Sequence, residues 1–441
     1  MSGQPRPALA RRVAGRLVSP LLHERDFRRF WLGQTISVFG DQVTQLGVPL
    51  VAVLVLGADA TQMGTLLAVG LLPHLLFSLP AGVWLDRVRH RRRLMIAADL
   101  ACAALIASIP AAYVAGVLSM AQLYVVGFLT GSMAVVFDIS WNTLLVAVVR
   151  REAFVQANAL FSGSRALAFV GGPPLAGVLV QVLTAPIALV ADALSFLGSA
   201  FYLARIRAAE PPIEIVEESM RSRLSTGLVF ILRDSIMRPI LLSVATINLF
   251  NFCFQALFIL YVTAGLGVSP GVLGAALGAG AVGGVLGAVI ATRVGGRLGL
   301  GGAFTLGCVL FPAPIILVPL VSGPSEAVIA MLFAVEFLAG LGVQILDINV
   351  GAVIAARTPD AIRSRSGGAF RFINYGMRPV GAFLGGLLGG VIGVRETLLV
   401  VTIAASLGVV WLVGSPIPGL RNLPEAARQG PEPATDAPGY G

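Results

Sequence analysis

The chain has 441 residues, 56% of them hydrophobic and 12% charged, where soluble domains carry roughly 25% charged residues. That balance excludes an ordinary soluble domain and predicts a protein embedded in a bilayer. The formal net charge of +9 is carried by arginine alone and is scattered over many short connections, which excludes a nucleic-acid-binding protein, whose basic residues gather on one face.

A helix crossing about 30 Å of hydrocarbon needs about 20 mostly apolar residues. Breaks at charge, proline and glycine predict six spans at 29–57, 61–85, 94–115, 120–147, 158–181 and 184–204. Six more follow at 239–265, 271–292, 302–321, 325–354, 366–391 and 396–415. The chain then divides into an N-terminal segment (1–28), a first six-span half (29–205), a linker (206–235), a second half (236–415) and a disordered tail (416–441). The opening residues are basic and contain proline, and the first apolar run is too long for a signal-peptide core, so no cleavable leader is expected. Cys102, Cys253 and Cys308 all fall within spans, where packing is expected and disulfides are not.

Arginine falls in alternate connections: Arg6 to Arg29, Arg87 to Arg93, Arg150 and Arg151, Arg205 to Arg238, Arg293 and Arg297, Arg357 to Arg365, and the tail. The opposite connections hold only Arg395. Positive loops stay cytoplasmic, so both termini and the linker are expected inside. In the linker, Leu224, Leu228, Ile231 and Leu232 follow helical spacing with Arg221, Arg223 and Arg233 off that face. This fits a short helix lying on the surface or a helical lead-in to the seventh span.

The chain is built twice. Arg28, Asp41 and Gln45 recur as Arg238, Asn251 and Gln255 at a constant spacing of 210 residues. Arg165 and Pro173 recur as Arg371 and Pro379 at a spacing of 206. Such duplication predicts two paired halves of six spans each.

A charge at the bilayer centre costs about 2.5–3.5 kcal/mol on insertion scales, so each one needs a partner or a function. Asp41 lies midway along the first span, accompanied by Gln34, Thr44 and Gln45, and shares a face with Gln45 at i, i+4 spacing. Asn248, Asn251 and Gln255 form a similar stripe on the seventh span. Asp41 is the candidate proton-coupling acid and Glu336 the second. Gln34, Gln45, Asn142, Asn248, Asn251, Gln255 and Arg378 are candidate cavity residues, the alternative being hydrogen bonds between helices. Counting in from the membrane faces puts Glu336 and Arg378 at similar depth, which predicts an ion pair. Asp138 with Arg165, and Asp347 with Arg371, repeat in both halves as candidate structural or gating pairs. His74 is expected to be hydrogen-bonded filler, and Asp99 to pair with the arginine loop near the cytoplasmic face.

Between the second and third spans, Gly82-Val83-Trp84-Leu85-Asp86-Arg87-Val88-Arg89-His90-Arg91 resembles the G-x-L-x-D-R-x-G-R-R loop of the major facilitator superfamily. Gly82, Asp86, Arg87 and Arg91 fall on its positions, while Arg89 and His90 replace glycine and arginine. In the second half Arg297 matches Arg87, but Gly296 stands where Asp86 would be. Gly163, Gly171-Gly172-Pro173-Pro174 and Gly177 resemble the glycine-proline signature of the exporter branches. Phe27-Arg28-Arg29-Phe30-Trp31-Leu32-Gly33-Gln34, Phe137-Asp138-Ile139 with Trp141-Asn142, and Gln156-Ala157-Asn158-Ala159-Leu160 are similar to the enterobactin-exporter and macrolide-efflux branch. The fourth span lacks the internal arginine of other drug/proton antiporter groups, so their relay is not carried over.

The resemblance implies an all-α membrane protein of twelve transmembrane helices in two pseudo-symmetric six-helix halves. It implies a monomeric secondary transporter of the inner membrane that exports a small amphipathic drug, siderophore or secondary metabolite against protons. Its partners are the bilayer, the substrate and protons, with no cofactor and no metal. Proton-coupled nutrient uptake is the alternative direction, and a polytopic membrane enzyme or a sensor the alternative from another class. Enzyme readings fail: Gly267-Val268-Ser269-Pro270-Gly271 spells a nucleophile elbow without a preceding strand. Gly278 to Gly283 spells a dinucleotide fingerprint inside a span, and His23, His74 and His90 lack metal-ligand spacing.

Overall fold

The computed structural model describes residues 19–85, 90–208 and 220–421. Asp86 and Arg87, part of the linker and most of the C-terminal tail lie outside the described residues. Within them the chain forms helices and turns and no strand.

The first half contains α1 (Arg25–Leu54), α2 (Ala60–Leu85), α3 (Arg91–Val114), α4 (Met120–Val148), α5 (Phe154–Leu183) and α6 (Ala185–Ala204). The linker contributes α7 (Met220–Arg233), and the second half α8 (Met237–Leu260), α9 (Pro270–Leu310), α10 (Ser325–Arg357), α11 (Arg363–Ile392) and α12 (Val394–Ser406). Among the described residues ten stretches are long and apolar enough to cross a membrane. One of them, Pro270–Leu320, turns at Gly299, whose φ of 77° interrupts the helix, and so holds two of the predicted spans. With α11, thirty residues long, the spans number twelve.

Local chemistry sets the ends. Asp59 and Gln62 cap α2 reciprocally: the Gln62 N–H donates to Asp59 Oδ1 at 2.8 Å and the Asp59 N–H to Gln62 Oε1 at 3.0 Å. Ser119 accepts from the Gln122 N–H at the start of α4. Gly57 and Gly267, equivalent positions of the duplication, follow α1 and the seventh span with φ of 62° and 67°, a left-handed turn that glycine enters without strain. The ninth span is shorter as regular helix than expected. α9 stops at Leu310, and Pro312, Pro314 and Pro319 allow only a turn, a 3-10 segment and a four-residue helix before Val321.

The helices form two compact units, Met1–Ala58 with Val69–Ile215 and Val262–Gly278, and Asp59–Ala68 with Val216–Tyr261 and Ala279–Gly441. In the first, α1 packs on α5 and α6, and α3 on α4 and α6. An aromatic cluster of Phe27, Phe30, Trp141 and Phe161 closes its arginine-rich end, with ring centroids 5.2–6.0 Å apart. Arg29 donates to the Arg205 carbonyl at 2.6 Å, and the Arg207 N–H donates to Asp26 at 3.0 Å. Gly177 lies against Gly271 and Gly274, so α5 crosses the start of α9 at backbone contact.

In the second unit α8 packs on α11 and α12, and the first turns of α2 lie against α11 through Gly64 and Gly386. The linker helix α7 docks on α11: Ile231 is fully buried with Met237, Leu241 and Ala369, and Gly227 meets the Arg365 carbonyl. It is therefore a helix of its own and not a lead-in, and Leu232, predicted on its apolar face, is exposed. Asp234 turns the chain into α8 by accepting the Ile236 and Met237 N–H groups at 2.9 Å and bonding Arg357 Nε at 2.9 Å. Residues 416–421, expected in the disordered tail, are ordered: Ile417 joins the buried cluster around Phe304.

Candidate functional site

The first unit gathers four span carboxylates. Asp41 and Gln45 are exposed on one face of α1. Asp192, Asp99 and Asp138 act electrostatically on the Asp41 carboxylate, and Arg165 opposes them. Asp192 of α6 is fully buried. Its carboxylate accepts the Thr44 hydroxyl of α1 and, at 2.8 Å, the Ser195 hydroxyl. Gly40 makes that approach possible, because a Cβ there would lie 2.6 Å from Ser195 Cβ. Asp99 of α3 is 2% exposed, bonds Ser199, and leaves Oδ2 without a hydrogen-bond partner. Burying carboxylates among hydroxyls instead of beside cations is costly, which marks this cluster as more than packing.

Two expectations change here. Asp192 was missed, although it is the sole charge in the sixth span and the rule that singled out Asp41 applies to it equally. Asp99 bonds Ser199, and Arg87 and Arg89 of the arginine loop lie outside the described residues. Gln34 is buried and bonds Ser199 at 3.4 Å, so it braces α1 against α6. Asp138 feels the charges of His74 and then Arg165, while the Arg165 guanidinium lies over Trp141 at 6.0 Å. Asn142 is exposed and bonds the Asp138 carbonyl of its own helix at 3.4 Å.

The second unit is built around an arginine. Arg378 of α11 stacks on Tyr375 at 4.2 Å and on Phe252 of α8 at 5.1 Å. Its nearest carboxylate influence is Asp347 of α10. The expected Glu336–Arg378 pair is absent among the described residues: Glu336 instead lies beside Gly280 of α9. Asp347 feels the charge of Arg378 without bonding it, and Arg371, its expected partner, is exposed. Residue counting fixes height along a helix and not the side from which a long side chain reaches. Asn248 bonds the Val244 carbonyl and the buried Asn374 at 3.1 and 3.3 Å. Asn251 faces a small pocket with Phe250, Phe254, Phe311 and Thr402, while Gln255 is exposed.

Gating candidates are partly visible. Arg91 opens α3 and donates to Thr143 of α4, and Arg92 donates to the Ile206 carbonyl. Gly82 lies in the last turn of α2, and Asp86 and Arg87 fall outside the described residues. Gly172 receives the Gln42 side chain so closely that no Cβ would fit, and the Pro173 carbonyl meets Gly274.

Duplicated helical halves with charges held inside apolar bundles are the architecture of a carrier, and the comparison with known families agrees. The model of a family described as transmembrane secretion effector matches residues 17–437. The chain belongs to that family, within the major facilitator superfamily. No individually curated protein matches the sequence. Among solved structures, the chain is similar to a bacterial homologue of the iron transporter ferroportin in an inward-facing state. The TM-score is 0.73 and the identity 18%, over 90% of this chain and 99% of the other. It is also similar to the nucleoside transporter NupG, with a TM-score of 0.69 and 12% identity over 89% and 99% of the two chains. A bacterial homologue of the lysosomal transporter Spinster gives 0.65 and 12% over 89% and 96%. At these identities the likeness shows the major facilitator fold. This secretion-effector family member is thus a multi-pass membrane transporter.

Proposed function

We propose that the chain is an exporter of a small amphipathic compound, driven by proton entry through alternating access. The observation that carries the reading is the carboxylate cluster of the first unit. Asp41 sits exposed at its edge, with the buried Asp192 and Asp99 behind it and Arg165 within electrostatic reach. A carboxylate exposed on one face and linked to buried acceptors can take a proton in one conformation and release it in another. Each proton crossing 100 mV supplies about 2.3 kcal/mol. The family's description as a secretion effector supports the outward direction, as does the resemblance to the enterobactin and macrolide branch. Alternating arginine supports cytoplasmic termini in an inner membrane. In this reading Asp86 latches the cytoplasmic side, and the protein works as a monomer.

The test has two stages. Accumulation of labelled compounds in cells with and without the protein identifies a substrate. Efflux of that compound from reconstituted vesicles is then measured with and without an imposed pH gradient. Wild-type efflux accelerates with the gradient, and Asp41→Asn loses the acceleration while still exchanging substrate. Gradient-driven efflux at the wild-type rate in Asp41→Asn would refute the role of Asp41.

A further inference from the structure

Arg378 sits 15 residues from the start of α11 and 14 from its end, about 21 Å from either end at 1.5 Å per residue. An arginine at that depth is expected to be paired or hydrogen-bonded. Among the described residues Arg378 donates no hydrogen bond, and its buried Nε is without a partner. What holds it is the faces of Tyr375 and Phe252, contacts that fix the plane of a guanidinium but leave its N–H groups unused. Tyr375 is 41% exposed, so the stack stands at an open face and not inside a sealed core.

The duplication shows that this is a departure from the fold's plain solution. The first-half position equivalent to Arg378 is Gly172, and the one equivalent to Phe252 is Gln42, by the same spacings of 206 and 210 residues that relate the other matched positions. In the first half that crossing is closed by Gly172 against Gln42. In the second half the same crossing carries a cation on an aromatic face.

We infer that Arg378, oriented by Tyr375 and Phe252, recognises an anionic group of the substrate, a carboxylate or an oxyanion of equal geometry, on an aromatic or amphipathic molecule. Asp347, whose charge acts on the guanidinium without bonding it, competes with the substrate anion for that positive charge. A guanidinium fork matches a carboxylate bidentately. A lipid phosphate has the same chemistry, but headgroups lie at the ends of α11 and not at its middle. This inference rests on the transport reading only in calling the ligand a substrate.

The test is binding of three isosteric probes to the purified full-length protein: 2-naphthoate, neutral 2-naphthamide and cationic 2-naphthamidine. The wild type binds naphthoate in preference to both others. Arg378→Gln weakens naphthoate binding about 10- to 100-fold, the loss expected for a charge-assisted contact, and Arg378→Lys recovers part of it. Asp347→Asn tightens naphthoate binding several-fold, which a purely structural arginine would not produce. Naphthamidine bound as well as naphthoate, or no binding of any probe, overturns the inference, even if Arg378→Gln fails to fold. Repeating the measurement in nanodiscs with and without phosphatidylglycerol leaves naphthoate binding unchanged, and competition by that lipid would assign the site to headgroups instead. Because binding needs no gradient and no direction, failure here leaves the export reading standing, and failure of export leaves this result standing.

Discussion

Gly40→Ala and Gly163→Ala should move stability in opposite directions, although both replace a glycine inside a helix. Each gains about 0.8–1.0 kcal/mol of helix propensity. At Gly163 nothing lies within 4 Å of the added Cβ, so the gain stands alone. At Gly40 the Cβ would lie 2.6 Å from Ser195 Cβ and also overlap the Asp192 carboxylate. Overpacking of that kind typically costs about 1–3 kcal/mol. Propensity cancels in the comparison, so Gly40→Ala should be less stable than Gly163→Ala by about 1–3 kcal/mol. Thermal unfolding midpoints at one scan rate in one detergent make the measurement. Ser195→Gly in the Gly40→Ala background should recover part of the loss by removing the struck Cβ. A Gly40→Ala protein as stable as Gly163→Ala would refute the close approach of α1 and α6, and with it the burial of Asp192 beside Asp41.

Two further outcomes are expected. In a background where Cys102, Cys253 and Cys308, all buried, are replaced, a cysteine at Val117 should react with an impermeant reagent added outside and one at Ser222 should not; the reverse pattern would invert the topology. In double-mutant cycles on transport or stability, Asp347→Asn with Arg378→Gln should couple by about 0.5–3 kcal/mol, whereas Glu336→Gln with Arg378→Gln should be additive, and the opposite result would restore the pair expected from depth alone.

The twelve spans were legible because apolar runs of about 20 residues admit few other structures, and the breaks fell where glycine and proline act locally, as at Gly57 and Gly267. The ninth span was less legible, because Pro312, Pro314 and Pro319 sit inside an apolar run and break the helix without breaking the hydrophobicity. Among the site residues, the cluster around Asp41 was half seen. Spacing placed Asp41 and Gln45 on one face, but it said nothing of which helix Asp99 and Asp192 would present to it. That depends on α1 meeting α6 at Gly40, a long-range packing fact. The aromatic seat of Arg378 was invisible for the same reason: Tyr375 precedes it by one turn, but Phe252 is more than a hundred residues away.

The duplication explains where chemistry was added. Matched positions that keep their residue, Arg28 with Arg238 and Pro173 with Pro379, serve the shared architecture. Two matched positions that differ carry charges of opposite sign, one in each half. Asp41 faces Asn251 in the repeat, so the acid belongs to the first half. Arg378 faces Gly172, so the guanidinium belongs to the second. On the proposed reading, the proton is handled in one unit and the anionic group in the other. Neither ligand then needs to touch the other's residues. Each shifts the conformational equilibrium by its differential affinity for the two states, and linkage makes the effect reciprocal. A carrier built this way should lose coupling when Asp41 is neutralised yet keep its preference for anionic probes, and should lose that preference when Arg378 is neutralised yet keep its response to pH. Loss of both functions together from either single change would mean one shared site, and would refute the division of labour between the halves.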